Sequence, residues 1–354
     1  MNTLKIKLLQ KKIKEFYKIK GRDLPWRAKG KRKQDPYKTL ISEVMLQQTR
    51  VNTVIKFYKR FLIAFPNIKK LASAKSEDVL KEWAGMGYYR RALNLQKSAK
   101  IIIEKYNGLI PSEKKILKNL PGIGEYTSSA IANFAYAKEE IVIDTNIERF
   151  INRVFNTKIN TIKSSYTKLL AVKIFPKQKR GDFAQAIMDL ATSNCTKIKP
   201  KCFSCIIIKE CNYKAPESKD IIKKKKKIKF CINYFIYDKS KKFFVRKRPL
   251  QGLLGGMYEI PSGEWSKDDW DMKSEFYLKK SKNFVTIKKV IKYQFSHFTL
   301  HNKIVLLKKE DLIKYNFKGK WVTRKSLQKL PISNLTNKIV GQSFLEISAL
   351  KKFL

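Results

Sequence analysis

Several things are scarce or missing from this chain of 354 residues, and each absence narrows its class. No stretch approaches the ~20 consecutive apolar residues of a membrane span, so no membrane partner is expected. Residues 1–20 alternate Lys with Leu, Ile and Phe. They lack the unbroken apolar run of a signal peptide and read as an amphipathic helix on the protein's own core, which points to a cytoplasmic protein. The cysteines number five, too few for a disulfide scaffold. Four of them crowd between Cys195 and Cys211, which in a cytosolic chain points to metal. The two histidines, His297 and His301, have no third ligand type nearby and read as recognition or packing residues. No self-similar period of roughly 20–50 residues is visible, which argues against a repeat architecture. Acidic side chains are few, with Asp+Glu 29 against Lys+Arg 78, leaving a net charge of +49. That imbalance favours a polyanionic partner, because phosphate contacts release counterions. Part of it goes with the Lys, Ile and Asn richness that AT-rich coding produces.

What is present suggests two or three domains with real cores, given the length and 43% hydrophobic residues. Up to about Tyr213 the pattern is helical. Asp35-Pro36 is a helix start, an N-cap acid with Pro at the first helical position. The helix it opens places Tyr37, Leu40, Ile41, Val44 and Met45 on one buried face. Further helices are expected over residues 51–65, 76–83, 89–106, 112–119, 126–135, 145–155 and 181–193. Residues 214–229, with Pro216 and a lysine run, read as a basic linker. Residues 230–237, 242–247 and 285–308 are rich in β-branched and aromatic side chains, and glycines cluster over 252–263, so a sheet-containing domain is expected over 230–354.

The strongest motif is Cys195-x6-Cys202-x2-Cys205-x5-Cys211. Four thiolates in one compact loop suit a 4Fe–4S cluster. Zinc is the rival, although zinc sites usually show two separated CxxC pairs and here there is one. Cys231 lies in an apolar strand and reads as a buried residue. Next comes Leu120-Pro121-Gly122-Ile123-Gly124-Glu125-Tyr126-Thr127, between helical segments. Gly122 and Gly124 allow a tight turn, and the N–H groups opening the following helix can hold a phosphate. Asp144 ends an apolar run and precedes a segment with Arg149 and Arg153. It reads as a plain N-cap, as an acid that stabilises a developing sugar cation, or as both. Glu43 lies in Ser42-Glu43-Val44-Met45-Leu46-Gln47-Gln48-Thr49 at the border of the buried face, half-sheltered. It is either a solvated glutamate at a helix edge or a proton donor with a raised pKa.

These segments, with the glycine- and tyrosine-rich run from Gly85 to Leu95, together resemble the MutY family of adenine DNA glycosylases, in order from about Leu24 to Cys211. The run from Gly252 to Pro261 and Phe295-Ser296-His297 resemble, more loosely, that family's nudix-like C-terminal domain. The resemblance implies an all-α helix-hairpin-helix core carrying a 4Fe–4S loop (residues 1–213, the six-helix barrel part at about 30–134 and the cluster part at 135–213 with the N-terminal helix), followed by an α+β nudix-like domain. It implies a monomer that acts on double-stranded DNA with adenine opposite 8-oxoguanine or guanine. The adenine is flipped into a pocket, and its glycosidic bond breaks through an oxocarbenium-like state. Glu43 would protonate adenine at N7 and then activate water. Asp144 would stabilise the cation, with Tyr126 nearby and Asn146 orienting it. Gln48 and Tyr88 resemble wedges that enter the stack, although Tyr88 also reads as a helix-cap aromatic after the turn Gly85-Met86-Gly87. Trp26, Arg27 and Gln185 resemble the lining of the adenine pocket, and Thr49 belongs to the same DNA-facing set. Ser296, with His297 beside it, resembles the residue that reads 8-oxoguanine, where oxidation turns N7 from acceptor to donor.

Tyr126 separates two close relatives. The bifunctional endonuclease III type carries a lysine in this hairpin, whereas Lys115 and Lys118 precede the turn here, so no amine is placed for a lyase step. The C-terminal segment lacks the glutamate-rich box of nudix hydrolases and looks like a reader. Two departures from the family pattern, Thr145 in place of Gly and Ala184 in place of Asn, touch the surroundings of the pocket. A bifunctional lyase and a non-catalytic iron–sulfur DNA-binding protein are the alternatives.

Overall fold

The computed structural model describes residues 1–27, 34–157, 164–213, 226–267, 270, 284–309 and 319–350. Packing divides the chain into two units, Met1–Ser73 with Asn94–Asp220 and Ala74–Leu93 with Ile221–Leu354. Most of the expected linker, residues 214–225, lies outside the described residues.

The described elements of the first unit are helical: α1 (Thr3–Lys20), α2 (Pro36–Leu46), α3 (Val51–Ala64), α4 (Ile68–Ser73), α7 (Lys114–Lys118), α8 (Glu125–Tyr136), α9 (Thr145–Val154), α10 (Ser164–Ile174), α11 (Arg180–Ser193), and most of α6 (Arg90–Tyr106). Asp35 caps α2 by accepting from Lys38 N at 3.0 Å, with Pro36 at the first position. Alternation of Lys with apolar residues makes α1 amphipathic, and Leu9, Ile13 and Phe16 are its buried stripe. That stripe joins a core formed with Phe150 and Ile151 of α9, Leu170 and Ile174 of α10, and Phe183 and Ile187 of α11. Helix α8 is the helix on which the site is built. Its inward residues Thr127, Ser128, Ser129, Ala130 and Ala132 are small, so α2 packs directly against it. As a result α2 is enclosed nearly all round, with every residue from Thr39 to Met45 buried. Glu43 is therefore buried, at 4% exposure, and does not sit half-sheltered at a helix edge. The single-face reading considered one helix alone, whereas two neighbours close over it.

The second unit contains α5 (Ser76–Trp83), the start of α6, and a seven-stranded sheet with α12 (Arg324–Leu327) and α13 (Asn334–Leu350). Its strands are β1 (Lys227–Tyr237), β2 (Phe243–Lys247), β3 (Tyr258–Glu259), β4 (Phe284–Thr286), β5 (Ile291–Gln294), β6 (Phe298–Lys308) and β7 (Lys320–Val322). The order is β3-β2-β1-β6-β4, with β5 also on β6 and β7 on β2. The pair β1 and β6 is parallel over its full length, from Lys227 opposite Phe298 to Tyr237 opposite Lys308. Alternation places Phe235, Phe243 and Val245 on the face packed by Ile339 and Val340 of α13. Tyr234, Ile236 and Phe244 lie on the other face, against Trp321 and Val305. The single strand region expected over 285–308 is three strands, and α4, α10, α12 and α13 carry no motif that singled them out. Cys231 is buried at 2% exposure.

Candidate active site

A cavity of about 650 Å³ in the first unit brings together Glu43, Tyr126, Asp144 and Asn146. Trp26, Arg27, Gln48, Thr49 and Gln185 line it as well. These nine sequence-derived residues share one chamber, drawn from the loop before α2, from α2 and the turn after it, and from α8, α9 and α11.

Its two carboxyl groups have different surroundings. Asp144 is the N-cap of α9. Its Oδ1 accepts from Asn146 N at 3.0 Å and Ile147 N at 2.7 Å, and its Oδ2 accepts from the Asn146 side-chain amide at 2.8 Å. Asp144 is thus a helix cap, and its side chain also lines the cavity. Asn146 is held in turn by Arg149, whose Nη2 donates to Asn146 Oδ1 and to Ala191 O while its Nε donates to Cys195 O, each at 3.0 Å. Glu43 has little such support. Its Oε2 is buried with no hydrogen-bond partner. Burial, helped by the charge of Asp144, pushes its carboxyl up to about 7 against the opposing effects of the Tyr126 hydrogen bond and Arg27. Burial and the two neighbouring carboxylates raise the Tyr126 phenol well above its usual value. A buried carboxyl raised to about 7, beside a second carboxyl that accepts three N–H bonds, is an arrangement able to supply a proton donor and a fixed acceptor in one chamber.

Two residues that the motifs did not single out support the chamber wall: Arg22, which lines it, and Asp189, buried and bonded to Arg22 and Arg27. Asp189 receives a bidentate grip from Arg27, at 2.8 and 3.0 Å, and Arg22 adds a backbone and a side-chain bond at 2.9 and 2.6 Å. Burial raises the Asp189 carboxyl, but the Arg27 and Arg22 contacts outweigh it and leave it below the usual range. Asp189 lies one helical turn beyond Gln185, and that i, i+4 spacing was the available signal. Trp26 is buried edge-on against Tyr58, with centroids 5.4 Å apart. Thr145 is the first residue of α9, and Ala184 is fully buried in the core beneath the chamber.

In the hairpin, Gly122 has φ +79, and a Cβ there would come within 3.0 Å of Asn94 Cβ, so glycine is required. Gly124 differs from the expectation. Its backbone is extended, with φ −92, and it caps α8 without any side-chain bond. The Gln47 amide donates to Gly122 O at 3.1 Å and to Thr127 Oγ1 at 3.0 Å, tying the turn to α2. Gln48, the next residue, is left-handed at φ 54, and so is Tyr88 in the second unit at φ 49. Both positions named as wedges thus hold a conformation that costs a non-glycine residue roughly 1–2 kcal/mol. Within the second unit the Tyr88 and Ser296 hydroxyls are hydrogen-bonded at 2.5 Å, and Ser296 and His297 are exposed at the tip of the β5–β6 hairpin. Arg91 stacks over both Tyr88 and Trp83.

Cys195, Cys202, Cys205 and Cys211 line one small cavity with Arg153 and Ile207. Among the described residues no three His, Cys, Asp or Glu side chains are arranged to hold a single metal ion. A mononuclear zinc site needs all four sulfurs about 2.3 Å from one point, whereas a cubane takes one sulfur per iron and spreads them apart. Four cysteines around one cavity are a set of soft sulfur donors of the kind a 4Fe–4S cluster takes. Arg153 Nη1 lies 3.3 Å from Cys195 Sγ, a positive charge suited to thiolate ligands.

Among the described residues no helix is long and apolar enough to cross a membrane. The family described as HhH-GPD superfamily base excision DNA repair protein matches residues 41–177, and the NUDIX domain family matches residues 233–342. The adenine DNA glycosylase of Buchnera aphidicola subsp. Acyrthosiphon pisum (strain APS) is 33% identical over 339 residues, covering 92% of this chain and 94% of that protein. A solved thermostable thymine-DNA glycosylase is 30% identical with a TM-score of 0.54, covering 59% of this chain and 96% of its own. An endonuclease III–DNA complex shares the fold at 22% identity and a TM-score of 0.52, over 60% of this chain and 96% of its own. With a full-length relative at that identity, and a base-excision helical core followed by a NUDIX domain, the chain belongs to the adenine DNA glycosylase family.

Proposed function

We propose that this chain removes adenine from duplex DNA where it faces 8-oxoguanine or guanine, and that it does so without a lyase step. The observation that carries the reading is the pair Glu43 and Asp144 in one chamber, one carboxyl raised to about 7 with an unpartnered oxygen, the other fixed by three N–H donors. A flipped adenine entering the chamber gives the orphan Glu43 oxygen its missing partner at N7, and protonation there makes the base a neutral leaving group. Asp144 meets the positive charge that develops on the sugar, with Asn146 holding its orientation. Glu43, now ionised, accepts a proton from the water that completes hydrolysis. Tyr126 lies against both carboxyls, and its phenol offers no amine for a Schiff base.

The hairpin at Gly122 and Gly124 and the opening turn of α8 would hold a backbone phosphate. Gln48, Thr49 and Tyr88 would fill the gap left by the base, while Ser296 and His297 read the opposite strand. Cys195, Cys202, Cys205 and Cys211 would hold a 4Fe–4S cluster, whose chemistry here is to pin the loop to α9. The enzyme acts as a monomer in the bacterial cytoplasm, on nucleoid DNA.

The test is single-turnover incubation with duplexes carrying A opposite 8-oxoguanine, G, C and T. Base release is scored with and without alkali. Adenine loss opposite 8-oxoguanine and G, with strands cut only after alkali, is expected. Strand cleavage before alkali, together with a borohydride-trapped adduct, would replace this reading with a lyase, and binding without base release would replace it with a non-catalytic DNA-binding role.

A further inference from the structure

Tyr17, on α1, lies outside the matched helical family segment and carries no motif. It nevertheless touches two walls of the chamber. Its hydroxyl donates to Gln185 Oε1 at 2.7 Å, and the Arg27 guanidinium lies over its ring, 6.0 Å from the centroid. Arg27 is gripped from its other side by Asp189 through two bonds. Gln185 is 5% exposed and lines the chamber, and with its carbonyl taken by Tyr17 its amide nitrogen has no partner among the described residues. Tyr17 also lines a second cavity, of about 720 Å³, shared by α1 and the first half of α11.

We propose that Tyr17 is a positioning residue that sets the hydrogen-bonding polarity of the base pocket. By occupying the Gln185 carbonyl it locks the carboxamide with its NH2 presented to the base. A free carboxamide can turn over and exchange donor for acceptor, since its two ends are nearly the same size. Locked as a donor, Gln185 selects a base edge with a ring-nitrogen acceptor. Adenine offers N1 for this once N7 is engaged by Glu43, whereas guanine carries a proton there; N3 is an acceptor in both purines and gives no such contrast. A buried donor facing a donor is left unsatisfied, and that asymmetry is a strong source of discrimination. The ring beneath Arg27 serves the same end by preventing the guanidinium from swinging into the space the base needs. This inference rests on the adenine-removal reading above.

The test uses Tyr17→Phe, which keeps the ring under Arg27 and removes only the hydroxyl, with Gln185→Glu, which keeps the Tyr17 bond and removes the NH2. Single-turnover excision is measured on duplexes carrying adenine, 1-deazaadenine or 3-deazaadenine opposite 8-oxoguanine. In the unaltered protein, the analogue lacking the nitrogen that Gln185 meets should be cleaved about tenfold more slowly than adenine. In both variants adenine itself should slow and that penalty should shrink to near one, with duplex affinity unchanged. A role confined to folding would slow adenine and its analogues alike and leave the ratio intact. Unchanged ratios in Gln185→Glu, or in a Tyr17→Phe protein that melts normally, would overturn the proposal, as would an unaltered protein that cleaves both analogues as fast as adenine. Failure of the unaltered protein to release adenine from any duplex would remove the underlying reading and the proposal with it.

Discussion

Asp144 accepts three N–H bonds, while Glu43, lining the same cavity, keeps one oxygen with no hydrogen-bond partner among the described residues. The contrast comes from the backbone. Asp144 sits where α9 begins and helix N–H groups are unpaired, whereas Glu43 sits in the middle of α2, where every N–H is already used. Two identical functional groups thus acquire different surroundings through position alone.

The first prediction concerns pH. The Glu43 carboxyl lies at about 7 in the folded chain against an ordinary 4.5, chiefly through burial. Its contribution to stability is therefore complete below the unfolded value, and it is lost as pH rises through the folded value. The loss amounts to roughly 3 kcal/mol once the buried group is ionised. Glu43→Gln removes the titration. Its melting temperature should match the unaltered protein near pH 4 and exceed it near pH 8, while base release disappears and mismatch binding survives. In the unaltered protein the excision rate should fall as pH rises above about 7. A variant no more stable than the original on the alkaline side would show that Glu43 is not a buried acid.

Asp144→Asn keeps an oxygen for the cap but loses the charge, and its new NH2 confronts the Asn146 amide that donates to it now. Stability should drop by about 1 kcal/mol, the usual scale for a weakened cap. Excision should drop roughly a hundredfold to a thousandfold, the scale seen when a preorganised charge-stabilising group is lost. Thermal melts alongside single-turnover rates separate the two. Losses of excision and of stability in simple proportion would reduce Asp144 to a cap.

Much of this was legible from sequence. Asp35-Pro36 announced α2, the four cysteines of the motif line one small cavity, and Glu43, Tyr126, Asp144 and Asn146 reach one chamber. The burial of Glu43 was not legible, because it depends on the small residues Ser128, Ser129 and Ala132 of α8 letting a second helix close over α2. Asp189 was missed for a related reason. Among apolar neighbours it looks like one more helix carboxylate, and only the fold brings Arg22 and Arg27 onto it. Gly124 looked like a turn glycine but is extended, because the positive φ needed to reverse the chain falls at Gly122 alone.

Ser296 offers a third prediction. Its hydroxyl shares a hydrogen bond with Tyr88, and the turn that carries it is stiffened by Phe295 and Phe298, whose rings stack at 4.8 Å. Ser296→Ala removes the acceptor for the N7 proton of 8-oxoguanine without disturbing the turn. The ratio of excision rates opposite 8-oxoguanine and opposite guanine should narrow by about tenfold, the scale of one lost hydrogen bond. An unchanged ratio would exclude Ser296 from reading the opposite strand.

The cysteine loop gives the last prediction. Its Ile207 is buried in the first core at 2% exposure, and Cys195, Cys205 and Cys211 pack against that core, so the loop is part of the wall of the helical unit. Burial raises the Cys211 thiol to about 11 and raises Cys205 as well, so ligation has to displace protons that apolar surroundings favour. Binding of the metal is then coupled to folding of the loop. The purified protein should carry about four iron and about four acid-labile sulfide per chain. Cys205→Ser should lose that iron and melt at a lower temperature, with the apolar side chains of the loop no longer held against α9. One zinc per chain, with no sulfide, would assign the loop to zinc.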